Sequence, residues 1–173
     1  KYLEGTKIKS ATSSAGADMK LSYYAVDADD KLWSWGEGNS AGQLGNGTRD
    51  ACATPKMIEA LKDVTIKQLD VYSNSVACVT ADNVCYVWGK TPPGFDKSLS
   101  TPTKLNRRVE QISLGRGGAA LMIESNCVYA IGANGCGQLG VGDFNSRAGW
   151  TKVDGLGGET IKTVQCGDDC SAF

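Results

Sequence analysis

The sequence contains seven cysteines, which are candidate nucleophiles and metal ligands, and it contains no histidine. Without an imidazole, neither a Ser-His-Asp nor a Cys-His nucleophile can be built, and zinc loses its commonest nitrogen ligand. The most closely spaced cysteines, Cys166 and Cys170, have a C-x3-C spacing and no second pair nearby. Structural zinc sites usually combine two paired clusters. We therefore expect no catalytic residue, no metal site and no cofactor here.

Two glycine-rich segments could cradle a phosphate. They are Gly42-Gln43-Leu44-Gly45-Asn46-Gly47 and Gly137-Gln138-Leu139-Gly140-Val141-Gly142. Neither is followed by Lys-Ser or Lys-Thr, and no helical pattern comes after them, so both lack the P-loop and dinucleotide-binding fingerprints. We interpret these glycines as residues that permit a positive φ in a recurring turn.

The net charge and the cysteines indicate which class of partner and which cellular compartment to expect. The net charge is −1, from 18 basic and 19 acidic side chains, and the basic cluster Lys104–Arg108 is short enough to be a solvated loop. We therefore expect no nucleic-acid partner. The cysteine number is odd, and Cys78, Cys85 and Cys127 lie in apolar runs, which indicates free thiols and an intracellular, cytoplasmic or nuclear location. No stretch approaches the roughly 20 apolar residues of a membrane span.

The elements that position these residues are repeated along the chain. Three segments share one pattern: Asp30-Lys-Leu-Trp-Ser-Trp-Gly36, Asn83-Val-Cys-Tyr-Val-Trp-Gly89 and Asn126-Cys-Val-Tyr-Ala-Ile-Gly132. Aromatic and branched residues favour strands, and Asp or Asn tolerates the left-handed turn that closes a hairpin. Each segment follows another apolar run, so the unit is strand, tight turn, strand, glycine. We expect Trp33, Trp35 and Trp88 to lie in the core.

A second set of aligned segments confirms the repeat. They are Ile8-Lys-Ser-Ala-Thr-Ser, Ile66-Lys-Gln-Leu-Asp-Val, Val109-Glu-Gln-Ile-Ser-Leu and Ile161-Lys-Thr-Val-Gln-Cys. Their first residues are 58, 43 and 52 positions apart, and periods near 40 to 50 are typical of propeller blades or helical solenoids. The strand patterns and the glycines favour the propeller.

Leu32-Trp-Ser-Trp-Gly with Asn39 and Gly42-Gln-Leu-Gly-x-Gly resembles the repeat of the regulator of chromosome condensation family. Tyr129-Ala-Ile-Gly with Asn134 and Gly137-Gln-Leu-Gly-x-Gly repeats it, and the resemblance covers the chain from about Ile8 onward. It implies an all-β fold: a partial β-propeller with about three blades plus the start of a fourth, from a ring normally of seven. We predict repeats at about 8–65, 66–108, 109–160 and 161–173. The remainder of the ring is then supplied by another segment or chain.

The resemblance also assigns structural roles. The repeat residues are Trp35, Gly36, Gly42, Gln43, Leu44, Gly45, Trp88, Gly89, Gly132, Gly137, Gln138, Leu139 and Gly140. The family usually places a histidine three residues after a glycine at the second strand, where this chain has Gly118 and Cys170. Any hydrogen bond of that histidine must be replaced or absent. The ultraviolet photoreceptor of the family carries a Gly-Trp-Arg-His-Thr signature that is missing here, so we reject that function.

The surface loops are the remaining candidates for function. Rigid scaffolds with variable loops suit binding, and the two irregular loops are 15–20 and 90–100. The expected partner residues are Lys90, Phe95, Asp96, Asp168 and Asp169. We predict a protein-interaction scaffold that is non-catalytic in this segment. Two alternatives stay open: guanine-nucleotide exchange on a small Ras-like GTPase, which the founding member of the family performs on Ran, and a regulatory module of a larger enzyme.

Overall fold

The chain folds into consecutive antiparallel sheets. The computed structural model describes residues 3–16, 18–91 and 98–173, and these form three four-stranded sheets and one two-stranded sheet. Strands that are adjacent in sequence are adjacent in each sheet, so every sheet is a simple meander. We call the four-stranded sheets the first, second and third blades, and the two-stranded sheet the fourth hairpin. The prediction of three β units and the start of a fourth is confirmed.

The first blade contains β1 (Ile8–Ala15), β2 (Leu21–Asp27), β3 (Leu32–Gly36) and β4 (Cys52–Met57). The second contains β5 (Ile66–Tyr72), β6 (Ser75–Thr80), β7 (Val84–Gly89) and β8 (Leu99–Arg108). The third contains β9 (Gln111–Leu114), β10 (Ala120–Glu124), β11 (Cys127–Gly132) and β12 (Arg147–Lys152). The fourth hairpin contains β13 (Gln165–Cys166) and β14 (Ser171–Ala172), and short 3₁₀ turns occur at Glu59–Leu61 and Arg116–Gly118.

The hairpins turn where the sequence pattern predicts. Asp30, Asn83 and Asn126 have φ values of 61°, 60° and 59°, so each occupies the left-handed region before the third strand of its blade. Short polar side chains are the non-glycine residues that tolerate this conformation best. Gly89 ends its strand with φ of 75°, and a Cβ there would lie 2.1 Å from the carbonyl oxygen of Asn74. Glycine is required at that point because another backbone passes so close.

The hydrophobic core lies between successive blades. Side chains alternate across each strand, so the second and third blades each pack one apolar face on the preceding blade and the other on the sheet that follows. Tyr24 and Leu32 of the first blade pack with Trp88 of the second. Val79 of the second blade and Met122 of the third share the next cluster. A third cluster joins the third blade to Val164 and Cys166, at the start of the fourth hairpin.

The burial of each tryptophan depends on whether another blade covers the face of the sheet on which it lies. Trp88 is fully buried because it faces the first blade. Trp33 and Trp35 are only half-buried, since they lie on the face of the first blade that no described residue covers. Trp35 stacks on Tyr23, with ring centroids 5.7 Å apart. The expectation that all three tryptophans are core residues is therefore wrong for Trp33 and Trp35.

Candidate partner-binding site

The glycine-rich loops are built around a buried asparagine. The side-chain oxygen of Asn39 accepts the N–H of Leu44 at 2.9 Å, and its amide donates to the carbonyls of Thr48 and Asp50 at 3.2 and 2.7 Å. Asn39 is fully buried. These three hydrogen bonds satisfy the loop backbone from within, so the loop has a structural role and no open phosphate cradle.

The second glycine-rich loop repeats this geometry. The side-chain oxygen of Asn134 accepts the N–H of Leu139 at 2.9 Å. Its amide donates to the carbonyls of Asp143 and Asn145 at 2.8 and 3.1 Å. An equivalent asparagine therefore organises both loops, although they are 95 residues apart.

Each glycine-rich loop also accepts hydrogen bonds from the next sheet. The carbonyl oxygen of Gln43 accepts the indole N–H of Trp88 and the hydroxyl of Tyr24, both at 2.8 Å. The carbonyl oxygen of Gln138 likewise accepts the hydroxyl of Ser171, in the fourth hairpin, at 2.5 Å. These loops connect one blade to its successor.

Glycines permit that close contact. A Cβ on Gly45 would lie 2.8 Å from the indole nitrogen of Trp88, and a Cβ on Gly140 would lie 2.8 Å from the ring of Phe173. Both glycines have φ of 67°. The two requirements, a left-handed backbone and no side chain, coincide at each position.

Glutamine side chains connect the first strands of successive blades, and sequence reasoning missed them. The amide of Gln68 donates to the carbonyl of Ile112 at 2.7 Å and accepts its N–H at 3.1 Å. Gln111 makes the same pair with Val164, at 3.4 and 3.1 Å. Both glutamines are the third residue of an aligned segment, which was the signal available in the sequence. In this structure the contacts between blades do not require a histidine.

A groove of about 560 Å³ lies where the first strands end, and we call it the mouth groove. It is lined by Ser13–Ala15, Val71–Ser73, Ser75, Lys90 and Gly115–Gly118. The lining therefore comes from three blades, at the carboxyl ends of β1, β5 and β9. Its side chains are mainly hydroxyls and two cations, Lys90 and Arg116.

The fourth hairpin places two carboxylates at the rim of this groove. The hydroxyl of Tyr72 donates to the carboxylate of Asp168. This hydrogen bond, with smaller effects of burial and negative charge, raises the pKa of Tyr72 above its usual value. Arg116 and Asp169 form an ion pair with an N···O distance of 3.7 Å. The structure thus brings together residues from the second blade, the third blade and the fourth hairpin.

Three of the five predicted partner residues meet at this place. Lys90 lines the mouth groove, its backbone N–H donating to the carbonyl of Asn74 at 2.7 Å, and Asp168 and Asp169 lie at the rim. Phe95 and Asp96 lie outside the described residues. Tyr72 and Arg116 were not predicted, because nothing in their local sequence distinguishes them from other strand and turn residues.

The arrangement suits recognition. Across residues 3–16, 18–91 and 98–173, no group of three or more histidine, cysteine, aspartate or glutamate side chains is placed to hold a metal ion. Burial raises the pKa of the Cys166 thiol to about 12, so this cysteine of the fourth hairpin is held as a neutral thiol. Within the same residues, no helix has the length and apolar character needed to cross a membrane.

The blade geometry and the asparagine loops agree with a known family. A family model described as regulator of chromosome condensation (RCC1) repeat matches residues 29–79 and 125–173. The chain belongs to this family. Crystal structures of family members share its fold: Prp20p from Saccharomyces cerevisiae superposes with a TM-score of 0.74 at 20% identity, covering 87% of this chain and 40% of that one. Yeast RCC1 (Prp20) bound to Kap60 gives 0.78 at 20% identity, covering 95% and 41%.

Curated relatives are similar over most of this chain. The ultraviolet-B receptor UVR8 of Arabidopsis thaliana is 30% identical over 175 residues, which covers 95% of this chain and 38% of the receptor. The E3 ubiquitin-protein ligase HERC2 of Homo sapiens is 30% identical over 158 residues, covering 85% of this chain and 3% of the ligase. The chain therefore spans well under half the length of these relatives, and it is a partial β-propeller.

Proposed function

We propose that this chain is a protein-interaction module and that its partner docks at the mouth groove. The observation that carries the proposal is the convergence of side chains from all four sheets. Ser14, Tyr72, Arg116 and Asp168 belong to the first, second and third blades and the fourth hairpin, and each makes a contact with another sheet. Such convergence produces a composite surface whose shape the propeller scaffold holds rigid.

The charges at the rim are available to a partner. Arg116 and Asp169 have side chains that are 65% and 57% exposed, and their ion pair is long at 3.7 Å. Exposed ion pairs contribute little to stability, so each group can exchange its present contact for a better one at small cost. The rim offers both a cation and carboxylates, which favours a partner surface of mixed charge over a nucleic acid.

The test compares proteins captured by the chain and by matched variants. The double variant Lys90→Ala with Arg116→Ala removes both groove cations and should lose the specific partner. Lys56→Ala with Arg108→Ala removes the same charge from exposed positions on β4 and β8, and should retain it. A partner retained equally by both double variants would refute docking at the mouth groove.

We also propose that another blade covers the open face of the first blade, so that the repeats at 8–65, 66–108, 109–160 and 161–173 continue around a ring. Trp35 occupies the place in the first blade that Trp88 occupies in the second. Trp88 is fully buried and donates its indole N–H to the Gln43 carbonyl of the preceding blade. Trp35 is half-buried, and Leu21 beside it is 42% exposed. A blade with a similar glycine-rich loop, from the same or another chain, would complete both contacts.

Guanine-nucleotide exchange on a small Ras-like GTPase is the second candidate function. The observation that favours it is the exposed acidic pair Asp168 and Asp169 at the rim of the mouth groove. Release of labelled nucleotide should be measured with a panel of small GTPases, with and without the chain. Accelerated release that disappears in Asp168→Asn with Asp169→Asn would favour exchange over a passive scaffold.

A regulatory module within a larger enzyme is the third candidate, in which the segment itself is non-catalytic. It is supported by similarity to the HERC2 ligase and to the probable E3 ubiquitin-protein ligase HERC3 of Homo sapiens, of which the chain covers only 3% and 14%. An intracellular location fits the thiols, because all seven cysteines are free and three are buried. The reading frame around these residues would show whether a catalytic domain adjoins them.

A further inference from the structure

The junction between the first and second blades lacks the glutamine bridge found at the other two junctions. In the second blade Gln68 lies opposite Val79, and in the third blade Gln111 lies opposite Ile123, so both side chains point toward the next blade. The corresponding residue of the first blade is Ser10, opposite Val26, whose side chain faces the second blade. A serine side chain ends one atom beyond Cβ and is too short to span the junction.

The backbone that a glutamine would bind is nevertheless in place. Gln68 pairs with the N–H and C=O of Ile112, and Gln111 pairs with those of Val164. Ile112 and Val164 are the fourth residues of their aligned segments, and Leu69 is the fourth residue in the second blade. Among the described residues, no side-chain hydrogen bond joins Ser10 to Leu69. The donor and acceptor of Leu69 thus lack the carboxamide that their counterparts have.

A groove occupies the place of the missing side chain. It has a volume of about 400 Å³, and it is lined by Lys9–Thr12, Tyr24, Val26, Asp30 and Ile66–Leu69. We call it the junction groove. Tyr24 and Val26 are 1% and 6% exposed and give it an apolar floor. Such a floor suits the methylene stem of a glutamine, as the packing of the other two junctions does.

We propose that the junction groove binds a glutamine side chain of a peptide partner, with its carboxamide on the backbone N–H and C=O of Leu69. A paired donor and acceptor require a ligand that both accepts and donates, which a primary carboxamide does and a carboxylate does not. The nearby cations are already engaged. Lys9 is 2.5 Å from a carboxylate oxygen of Asp30, and Lys67 donates to the side chain of Asn83 and the carbonyl of Glu110.

The first experiment uses the 173-residue chain labelled with ¹⁵N and the probe N-acetylglutamine methylamide. The amide resonance of Leu69 should shift saturably with this probe, and N-acetylglutamate methylamide should produce no such shift. An unshifted Leu69 resonance, or an equal response to both probes, overturns the proposal.

The second experiment fills the groove from within. Ser10→Gln should place a carboxamide on Leu69, abolish the response to the probe, and slow hydrogen exchange of the Leu69 amide roughly three- to tenfold, as one net hydrogen bond does. Ser40→Gln is the matched control, because Ser40 is exposed, lines neither groove and should change neither quantity. Unchanged probe binding in Ser10→Gln, or equal effects of both variants, overturns the proposal.

Assigning the glutamine to a protein partner rests on the proposed function, whereas the small-molecule probe tests the junction groove alone. Failure of the glutamine proposal and failure of the proposed function give different results. A groove that ignores the probe overturns this inference even if partner capture still depends on Lys90 and Arg116. Loss of that dependence refutes docking at the mouth groove and leaves the response of Leu69 unaffected.

Discussion

Replacement of Gly45 by alanine tests how the glycine-rich loop packs against the next blade and accepts its hydrogen bond. The new Cβ would lie 2.8 Å from the indole nitrogen of Trp88 and 3.3 Å from Cδ1 of Ile58. The contact with the indole nitrogen is closer than a methyl group tolerates, the contact with Ile58 is tight, and both neighbours are buried. Trp88 must therefore move, which breaks its hydrogen bond to the carbonyl of Gln43.

The magnitude follows from three contributions. An alanine held at the φ of 67° costs about 1–2 kcal/mol, because a Cβ is disfavoured in the left-handed region. Overpacking adds about 1–3 kcal/mol. A buried indole N–H without an acceptor adds about 1–3 kcal/mol. We expect Gly45→Ala to lower the free energy of unfolding by roughly 3–8 kcal/mol.

Gly47→Ala is the matched control. Gly47 has φ of 85°, and the nearest atom to its added Cβ is Cγ2 of Thr101, at 3.8 Å. This variant retains the backbone strain without the clash, so it should cost only about 1–2 kcal/mol. The difference of at least about 2 kcal/mol corresponds to about 1 M in the urea midpoint when the m-value is about 2 kcal/mol/M.

The assay combines urea unfolding followed by circular dichroism with hydrogen exchange of the Trp88 indole N–H followed by NMR. Trp88→Phe identifies that indole resonance among the four tryptophans. Gly45→Ala should lower the midpoint and accelerate the exchange, and Gly47→Ala should change the midpoint less and leave the exchange slow. Equal losses of stability in the two variants would show that backbone strain alone matters. That result would refute the role of the contact between the loop and Trp88.

Three further outcomes can be checked independently. The hydrogen bond from Arg147, followed by that from the backbone of Asn145, lowers the pKa of Asp143 to about 2. The ionised Asp143 carboxylate therefore stabilises the fold fully above the unfolded pKa of about 3.9, and this stabilisation is lost as the pH falls through about 2. Carboxyl NMR should show that titration near pH 2, and Arg147→Ala should return it toward 3.9 if the cause is correct. Asn134→Ala removes three hydrogen bonds from the second glycine-rich loop and should cost about 3 kcal/mol by urea unfolding, with a neutral result excluding the structural role. Iodoacetamide at neutral pH should label the exposed Cys136 long before Cys166, whose pKa burial raises to about 12; mass spectrometry showing equal rates would contradict that burial.

The fold could be predicted closely because its determinants are local. Alternation along the strands, an Asp or Asn at each hairpin and a terminal glycine define one unit, and all of these lie within about a dozen residues. Asp30, Asn83 and Asn126 occupy the left-handed turns that the pattern predicts. The candidate site was less predictable, since Tyr72 and Arg116 have no distinctive neighbours in the sequence.

By itself, the sequence determined the unit of strand, tight turn, strand and glycine and the glycine-rich turns, because each depends on backbone conformation and on alternation over a few residues. Only the tertiary structure decided which blades are bridged, which tryptophan is buried and which side chains meet at the mouth groove. Gln68 and Ile112 are 44 positions apart, and Tyr72 and Asp168 are 96 apart. Such contacts depend on how one sheet stacks on the next, which the packing of whole apolar faces determines and no local pattern encodes.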